Sequence, residues 1–308
     1  MKFVISEVLM AVGVLVLAPP AASGQAASIP FDQPINCELC AEWNRAQQPF
    51  RIFGNTYYVG VAGLSVILIK TDEGLILLDA ALPQSVPLIS ENIAALGFRL
   101  EDVRLIVSSH THYDHVGGIA ALQRLTGASV AASPSSASAL EGGTPTPDDP
   151  QYGFHDDGFA RVSNVRRIAD GEVLQIGEVR LIPHFTPGHT PGSTTWTWQS
   201  CEDKRCLNVV YADSLNPVSA PGFKFSGDAS TRSGIRAFEK SIAEIESLPC
   251  DVLLSPHPTL FDMAGKLGKQ RAQPSANPFI DSGACRRYAE QARVRLRERI
   301  EQESTTSR

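Results

Sequence analysis

Between Ser108 and Gly118 the chain reads Ser-Ser-His-Thr-His-Tyr-Asp-His-Val-Gly-Gly, which sets His110, His112, Asp114 and His115 within six positions. Side chains alternate across an extended segment, so His110 and His112 point the same way, and the turn that follows swings Asp114 and His115 to that side. One strand end thereby offers two adjoining donor sets. Imidazole nitrogens and a carboxylate oxygen suit zinc, and neither pair fills a coordination shell unless other loops contribute. A polar turn with fortuitous histidines is the bland alternative. The crowding of four ligating side chains, in a residue type scarce in ordinary loops, argues against it.

Two further histidines occupy the same kind of place. His189 stands in Thr-Pro-Gly-His-Thr-Pro-Gly after a β-rich run at 179–183, and His257 stands in Ser-Pro-His-Pro after the apolar run 252–254. Flanking prolines and tight turns leave the backbone little freedom to lose when a metal binds. Either one alone could be an ordinary loop histidine. Taken together, five of the seven histidines lie in strand-end loops that one fold can gather.

The surrounding elements support that gathering. Residues 55–61, 65–70 and 75–78 are β-rich runs separated by Gly63 and by Asp72-Glu73-Gly74, a hairpin turn signal. A helical spacing follows at 83–96, then the apolar strand 103–108 that delivers the histidine loop, a helix over 118–125 and a strand over 129–132. The second half repeats the grammar with strands at 171–175, 179–183, 193–199 and 207–211, a helix at 232–248, a last buried strand at 252–254 and a charged C-terminal helix at 284–302. Strands alternating with helices make this an α/β chain. Residues 141–157, rich in Gly, Pro and Asp, form a long loop of the kind that carries function, and His155 within it is expected to be exposed. Trp43, in the irregular stretch 26–48, is expected to cap the core.

Composition narrows the partners. With 308 residues, 43% of them hydrophobic, and a net charge of −6, the chain can bury a large core and shows no basic block to attract nucleic acid. Lys2, the apolar stretch 8–17 and the small residues 19–24 resemble a secretory signal, too short to span a bilayer comfortably, with cleavage near Gly24 or Ala27. This divides the chain into a signal peptide over 1–24 and a single domain over 25–308, exported to the periplasm, with no stable membrane association. No Cys lies near the cleavage region to carry a lipid. Given export, the six cysteines read as disulfides. Cys201 and Cys206 flank a polar turn and would close a hairpin, while Cys250 and Cys285 would tie the last strand to the C-terminal helix. Cys37 and Cys40 could be a redox or zinc motif, but without a strand-to-helix context a local bridge is the expectation.

The run His-Thr-His-Tyr-Asp-His resembles the HxHxDH signature of the metallo-β-lactamase superfamily. The stretch Tyr211-Ala212-Asp213-Ser214-Leu215, with His115 retained and His257 in Ser-Pro-His-Pro, resembles the third subclass of the class B β-lactamases. The Thr194-Thr195-Trp196-Thr197-Trp198 run and the Asp149-Pro150-Gln151 loop agree with that branch. The resemblance covers roughly residues 50–300 and implies an αββα sandwich, two βα halves with the active site at one edge. With donor counting, it implies two zinc ions: His110, His112 and His189 around one, and Asp114, His115 and His257 around the other. It assigns His189 rather than His184 to the metal. It further implies hydrolysis of the β-lactam amide bond of penicillins, cephalosporins and carbapenems by a hydroxide held between the zincs, with Asp114 aiming it, and hence antibiotic resistance. Ser214, Asn216 and Gln151 are the expected substrate contacts, and a monomer is expected.

One ambiguity stays open at this point. If Asp213 rather than Ser214 faces the metals, it could bridge them, as in the thioesterases and lactonases built on the same scaffold. Asn216 also departs from the Ser or Thr that relatives often carry there.

Overall fold

The computed structural model describes Met1 and residues 32–154, 158–227 and 234–305, so the expected signal segment and His155 lie outside the described residues. In chain order the elements are α1 (Cys40–Trp43), β1 (Phe50–Phe53), β2 (Thr56–Tyr58), β3 (Ile67–Lys70), β4 (Leu75–Leu78), α2 (Val86–Ala95), β5 (Val103–Val107), α3 (Tyr113–Val116), α4 (Ile119–Thr126), β6 (Ser129–Ala132), α5 (Pro134–Gly142) and β7 (Val165–Arg167). There follow β8 (Leu174–Ile176), β9 (Val179–Phe185), β10 (Thr194–Glu202), β11 (Arg205–Tyr211), α6 (Ile235–Ser247), β12 (Val252–Leu254), α7 (Met263–Ala272) and α8 (Ala284–Thr305). The first sheet has the order β1-β2-β3-β4-β5-β6-β7, and the second β12-β11-β10-β9-β8. Strands β4 to β7 pair in parallel, as does β11 with β12, and the remaining pairs are antiparallel.

Why these strands read as continuous apolar runs follows from what covers them. Strand β4 is Leu-Ile-Leu-Leu and every residue of it is buried. Its Ile76 and Leu78 turn inward to a core shared with Trp196, Trp198 and Val209 of the second sheet, while Leu75 and Leu77 face a second core with Val86, Ile89 and Ile93 of α2 and Ile119 and Leu122 of α4. The outer face of the second sheet is covered in turn by Phe238, Ile242 and Ile245 of α6 and by Tyr288, Ala289 and Ala292 of α8. Helices on both outer faces of two stacked sheets are the expected αββα sandwich, and a strand covered on both faces has no polar side to alternate.

Several elements differ from their sequence expectation for identifiable reasons. Strand β1 precedes the first run read as a strand and pairs with β2 through a register shift between Arg51 and Phe53, an irregularity that hides its alternation. Helix α5 begins with the side chain of Ser133 accepting a hydrogen bond from Ser136 N, with Pro134 at its first position, so part of the expected long loop is helical. The expected strand from residue 171 starts only at Leu174, because Gly171 takes a positive φ in the preceding turn. All three disulfides, Cys37–Cys40, Cys201–Cys206 and Cys250–Cys285, join the residues expected to pair.

The sandwich places its site through specific ties. The Trp196 indole donates to Ser108 O at 2.9 Å, and Thr194 N donates to Ser109 O at 2.7 Å, which fastens the histidine loop of the first sheet to β10 of the second. Asp79 stands at the end of β4 with φ 61°. Its carboxylate accepts from Ser109 N at 2.7 Å, Ser109 Oγ at 2.8 Å and the Tyr211 hydroxyl at 2.6 Å. From the other side, the Tyr288 hydroxyl of α8 donates to Asp213 O at 2.6 Å and accepts from Leu215 N at 3.1 Å. Replacing Tyr288 with Phe leaves a buried carbonyl and a buried N–H without partners, which costs about 1–3 kcal/mol. Urea unfolding of Y288F is expected to show that loss as an earlier midpoint at unchanged slope; an unchanged midpoint would contradict the tie.

Candidate metal centre

The three histidine-bearing loops converge at one edge of the sandwich. His110 and His112 follow β5, Asp114 and His115 lie in the short helix α3, His189 lies between β9 and β10, and His257 follows β12. His110, His112 and His189 form one group and Asp114, His115 and His257 another, with the ligating atoms of each group within 4.8 Å of one another. The first five of these six residues in chain order are buried, and only His257 is partly open. They line a cavity of about 450 Å³ together with Gln151, Ser214, Asn216 and an apolar border that includes Leu39, Trp43 and Phe154. Gly63 lets Trp43 lie close to this border: a Cβ there would fall 2.4 Å from Trp43 Cδ1. The Trp43 ring sits 5.5 Å from that of His257.

Four of the five imidazoles are held by one ring nitrogen, and the fifth, His115, has its Nδ1 buried without a hydrogen-bond partner. His110 Nδ1 donates to Asp213 Oδ1 at 2.7 Å, His189 Nδ1 to Asn216 O at 2.8 Å and His257 Nδ1 to Gly63 O at 3.2 Å. His112 is anchored by the other nitrogen, with Nε2 3.2 Å from Asp149 Oδ1. A histidine whose one nitrogen is spent on the protein presents the other as a lone pair. His110 Nε2 is accordingly buried without a hydrogen-bond partner. In the second group His115 Nε2 lies 3.2 Å from His257 Nε2 and 3.2 Å from Asp114 Oδ2. Imidazole nitrogens and a carboxylate converging in this way, with His110 Nε2 and His115 Nδ1 both buried and orphaned, fit zinc in donor type and number.

Asp213 and Ser214 separate at this point. Asp213 is fully buried behind His110, on the side away from the donor nitrogen, and does not line the cavity, whereas Ser214 does. The open question of the sequence is thus decided in favour of Ser214 facing the donor groups. His184 is also placed: its ring lies 3.1 Å from Glu244 Oε1 and 3.0 Å from Thr197 Oγ1, outside both groups. The sequence reading missed the four anchors, Asp213, Asp149, Asn216 O and Gly63 O, because all are long-range partners. The single signal available for one of them was the polar Asp beside Ser214.

Electrostatics keep the imidazoles in ligating form. Burial is the main force that holds His110 well below its usual range, His189 down to about 3 and His257 down to about 4, with neighbouring histidines adding to it. Burial opposes ionisation of Asp114, but the nearby His115 and His257 outweigh it and its carboxyl lies below the usual range. His115 moves the other way, since Asp114 and Asp79 overcome its burial. An unfolded chain holds its histidines near a pKa of about 6.5, so between about 4 and 6.5 the unfolded state binds more protons than the folded one at His189 and His257. Stability linked to these groups is therefore complete above that window and lost as pH falls through it, while His115 and the buried carboxyls of Asp79 and Asp213, all raised on folding, oppose the trend. The metal-free protein is expected to lose thermal stability on acidification from pH 7 to 4, with the His189 and His257 ring signals still neutral at pH 5.5 by NMR. Titration of both rings near 6.5 would contradict it.

Comparison with known proteins agrees with this geometry. The family model of the metallo-β-lactamase superfamily matches residues 59–202. Among solved structures, the Rm3 metallo-β-lactamase is 49% identical and superposes with a TM-score of 0.84 over 88% of this chain and 100% of its own. MEM-A1, a subclass B3 metallo-β-lactamase isolated from a soil metagenome library, is 45% identical with a TM-score of 0.82, over 86% of this chain and 99% of its own. A hydroxyacylglutathione hydrolase of Bradyrhizobium sp. (strain ORS 278) is 31% identical over 145 residues, 47% of this chain, so the chain spans less than half of that relative (45%). With both donor groups in place at the edge of the sandwich and this likeness over most of its length, the chain belongs to the metallo-β-lactamase superfamily of hydrolases and resembles the third subclass of its class B enzymes.

Proposed function

We propose that the chain is an exported, monomeric zinc β-lactamase that hydrolyses the amide bond of penicillins, cephalosporins and carbapenems and so gives antibiotic resistance. The observation that carries the reading is the placement of Ser214 on the cavity with Asp213 turned behind His110, out of the bridging position that the thioesterase and lactonase reading needs. The likeness to proteins named metallo-β-lactamases over nearly their whole length supports it further.

Two zinc ions, one in each donor group, would supply Lewis-acid polarisation of the carbonyl and lower the pKa of water towards neutrality. The chain's own residues do the rest. Asp114, ionised and on the cavity wall, accepts a hydrogen bond from the attacking water and aims it, so no protein nucleophile is required. Consistently, the sequence contains no Ser-x-x-Lys. Ser214 and Asn216 line the cavity and donate to the carboxylate that β-lactams carry, and Gln151 lines it as well. Ser214 Oγ is buried with no partner of its own, so a substrate oxygen meets an unspent donor. Leu39, Trp43 and Phe154 offer apolar surface to the substituents of the substrate. A segment over 1–24 that is removed on export, and a compartment that keeps three disulfides oxidised, complete the reading.

The test is a panel of a penicillin, a cephalosporin, a carbapenem, a glutathione thioester and an acyl-homoserine lactone, assayed with the purified chain before chelation, after it, and after zinc is added back. The expected result is β-lactam kcat/KM at least tenfold above the thioester and lactone values, abolished by chelation and restored by zinc. Faster thioester turnover would transfer the assignment to the hydroxyacylglutathione hydrolase branch. Within the active panel, S214A is expected to raise the β-lactam KM by about 10-fold, the loss of one hydrogen bond to a charged group.

A further inference from the structure

One carboxylate joins the donor groups to the loop that borders the cavity, and the proposed reaction gives it no part. The Asp149 side chain is 1% exposed. Its Oδ1 accepts from Gln151 N at 2.8 Å and lies 3.2 Å from His112 Nε2, so a single oxygen touches both the tris-histidine group and the cavity border. The backbone around it is tied on both sides. Asp149 N donates to Thr146 O at 2.9 Å, Tyr152 N to Asp149 O at 3.0 Å, and Ala220 N to Pro150 O at 2.8 Å. The last bond reaches the segment that carries Asn216, whose carbonyl holds His189.

His112 is the exception within its group. His110 and His189 are anchored through Nδ1 and leave Nε2 to ligate, whereas His112 spends Nε2 on Asp149 and leaves Nδ1. Asp149 Oδ1 accepts from His112 Nε2, so it selects Nδ1 as the nitrogen of that ring left to ligate. The same oxygen fixes Gln151, whose Nε2 stands 3.4 Å from His112 Nδ1. A contact that orients a ligand and also orders a loop makes the two events favour each other, since whatever fixes one lowers the cost of fixing the other.

We propose that Asp149 is a positioning residue that couples the 146–154 segment to metal occupancy of the tris-histidine group. The inference rests on the metal reading given above. Zinc affinity of the full chain is measured by competition with a chromogenic chelator for the parent, D149A and D149N, and hydrogen exchange across 146–154 is followed in the parent with and without zinc. D149A is expected to lose about 10–100-fold in affinity for one zinc equivalent while the other is unchanged. D149N, whose amide oxygen still accepts from His112 and Gln151, is expected to recover most of that loss. In the parent, zinc is expected to slow exchange across the segment, a comparison that needs no variant and so stands even where D149A fails to fold. Two equivalents bound by D149A as tightly as by the parent, or exchange in the parent indifferent to zinc, would overturn the coupling and leave the metal reading intact. A parent that takes up no zinc would overturn both.

Discussion

A hydrogen bond at one nitrogen of an imidazole aims the other, and that constraint organises this site. Four rings are fixed by an acceptor drawn from a different part of the chain: Asp213 for His110, Asp149 for His112, Asn216 O for His189 and Gly63 O for His257. Each bond sets ring orientation and tautomer together, so the donor atoms are aimed before any metal arrives. Burial then keeps three of the rings neutral, which is the ligating form. Packing several imidazoles into one buried region is unfavourable in itself, because desolvated polar nitrogens without partners cost free energy. A bound cation would offset that cost, and the fold supplies the remainder.

That fold works by bringing strand ends from two sheets to one edge. The doubly covered strands of the sandwich, Leu75–Leu78 and Val103–Val107 among them, are rigid because both faces are packed. Their ends carry the loops, and a few polar ties set the loops against one another across the sandwich. Trp196 to Ser108 and Tyr211 to Asp79 join the two sheets directly beneath the histidines. Asp79 accepts this duty in a left-handed conformation that only a minority of non-glycine residues adopt, with Asp and Asn prominent among them. The site is thus precise where the protein is stiff. Its border, built from Leu39, Gln151 and Phe154, lies on connecting segments instead.

Much of this was legible in the sequence because it is local. The histidine loop, the Pro-flanked His189 and His257, the helical stripe of α6 and the short-range cysteine pairs all announce themselves within a few residues. The anchors do not. Asp213 lies 103 residues from His110, and Gly63 lies 194 residues from His257, so neither pairing has a sequence signature. The choice between Asp213 and Ser214 was open for a related reason: neighbours in an extended segment face opposite ways, and which one faces inward depends on register against β10 and β12. Strand β1 escaped because a register shift breaks its alternation, and α7 because Gly265 and Gly268 dilute its helical pattern.

The central claim is that this chain holds two zinc ions in separate donor groups, with Asp213 acting behind His110 and not between the metals. Anomalous diffraction at the zinc edge, on crystals of the zinc-loaded chain, tests it most directly. The account predicts two peaks, one among His110, His112 and His189 and one among Asp114, His115 and His257, with the Asp213 carboxylate hydrogen-bonded to His110 Nδ1. A single peak, or an Asp213 oxygen within bonding distance of either, would contradict it.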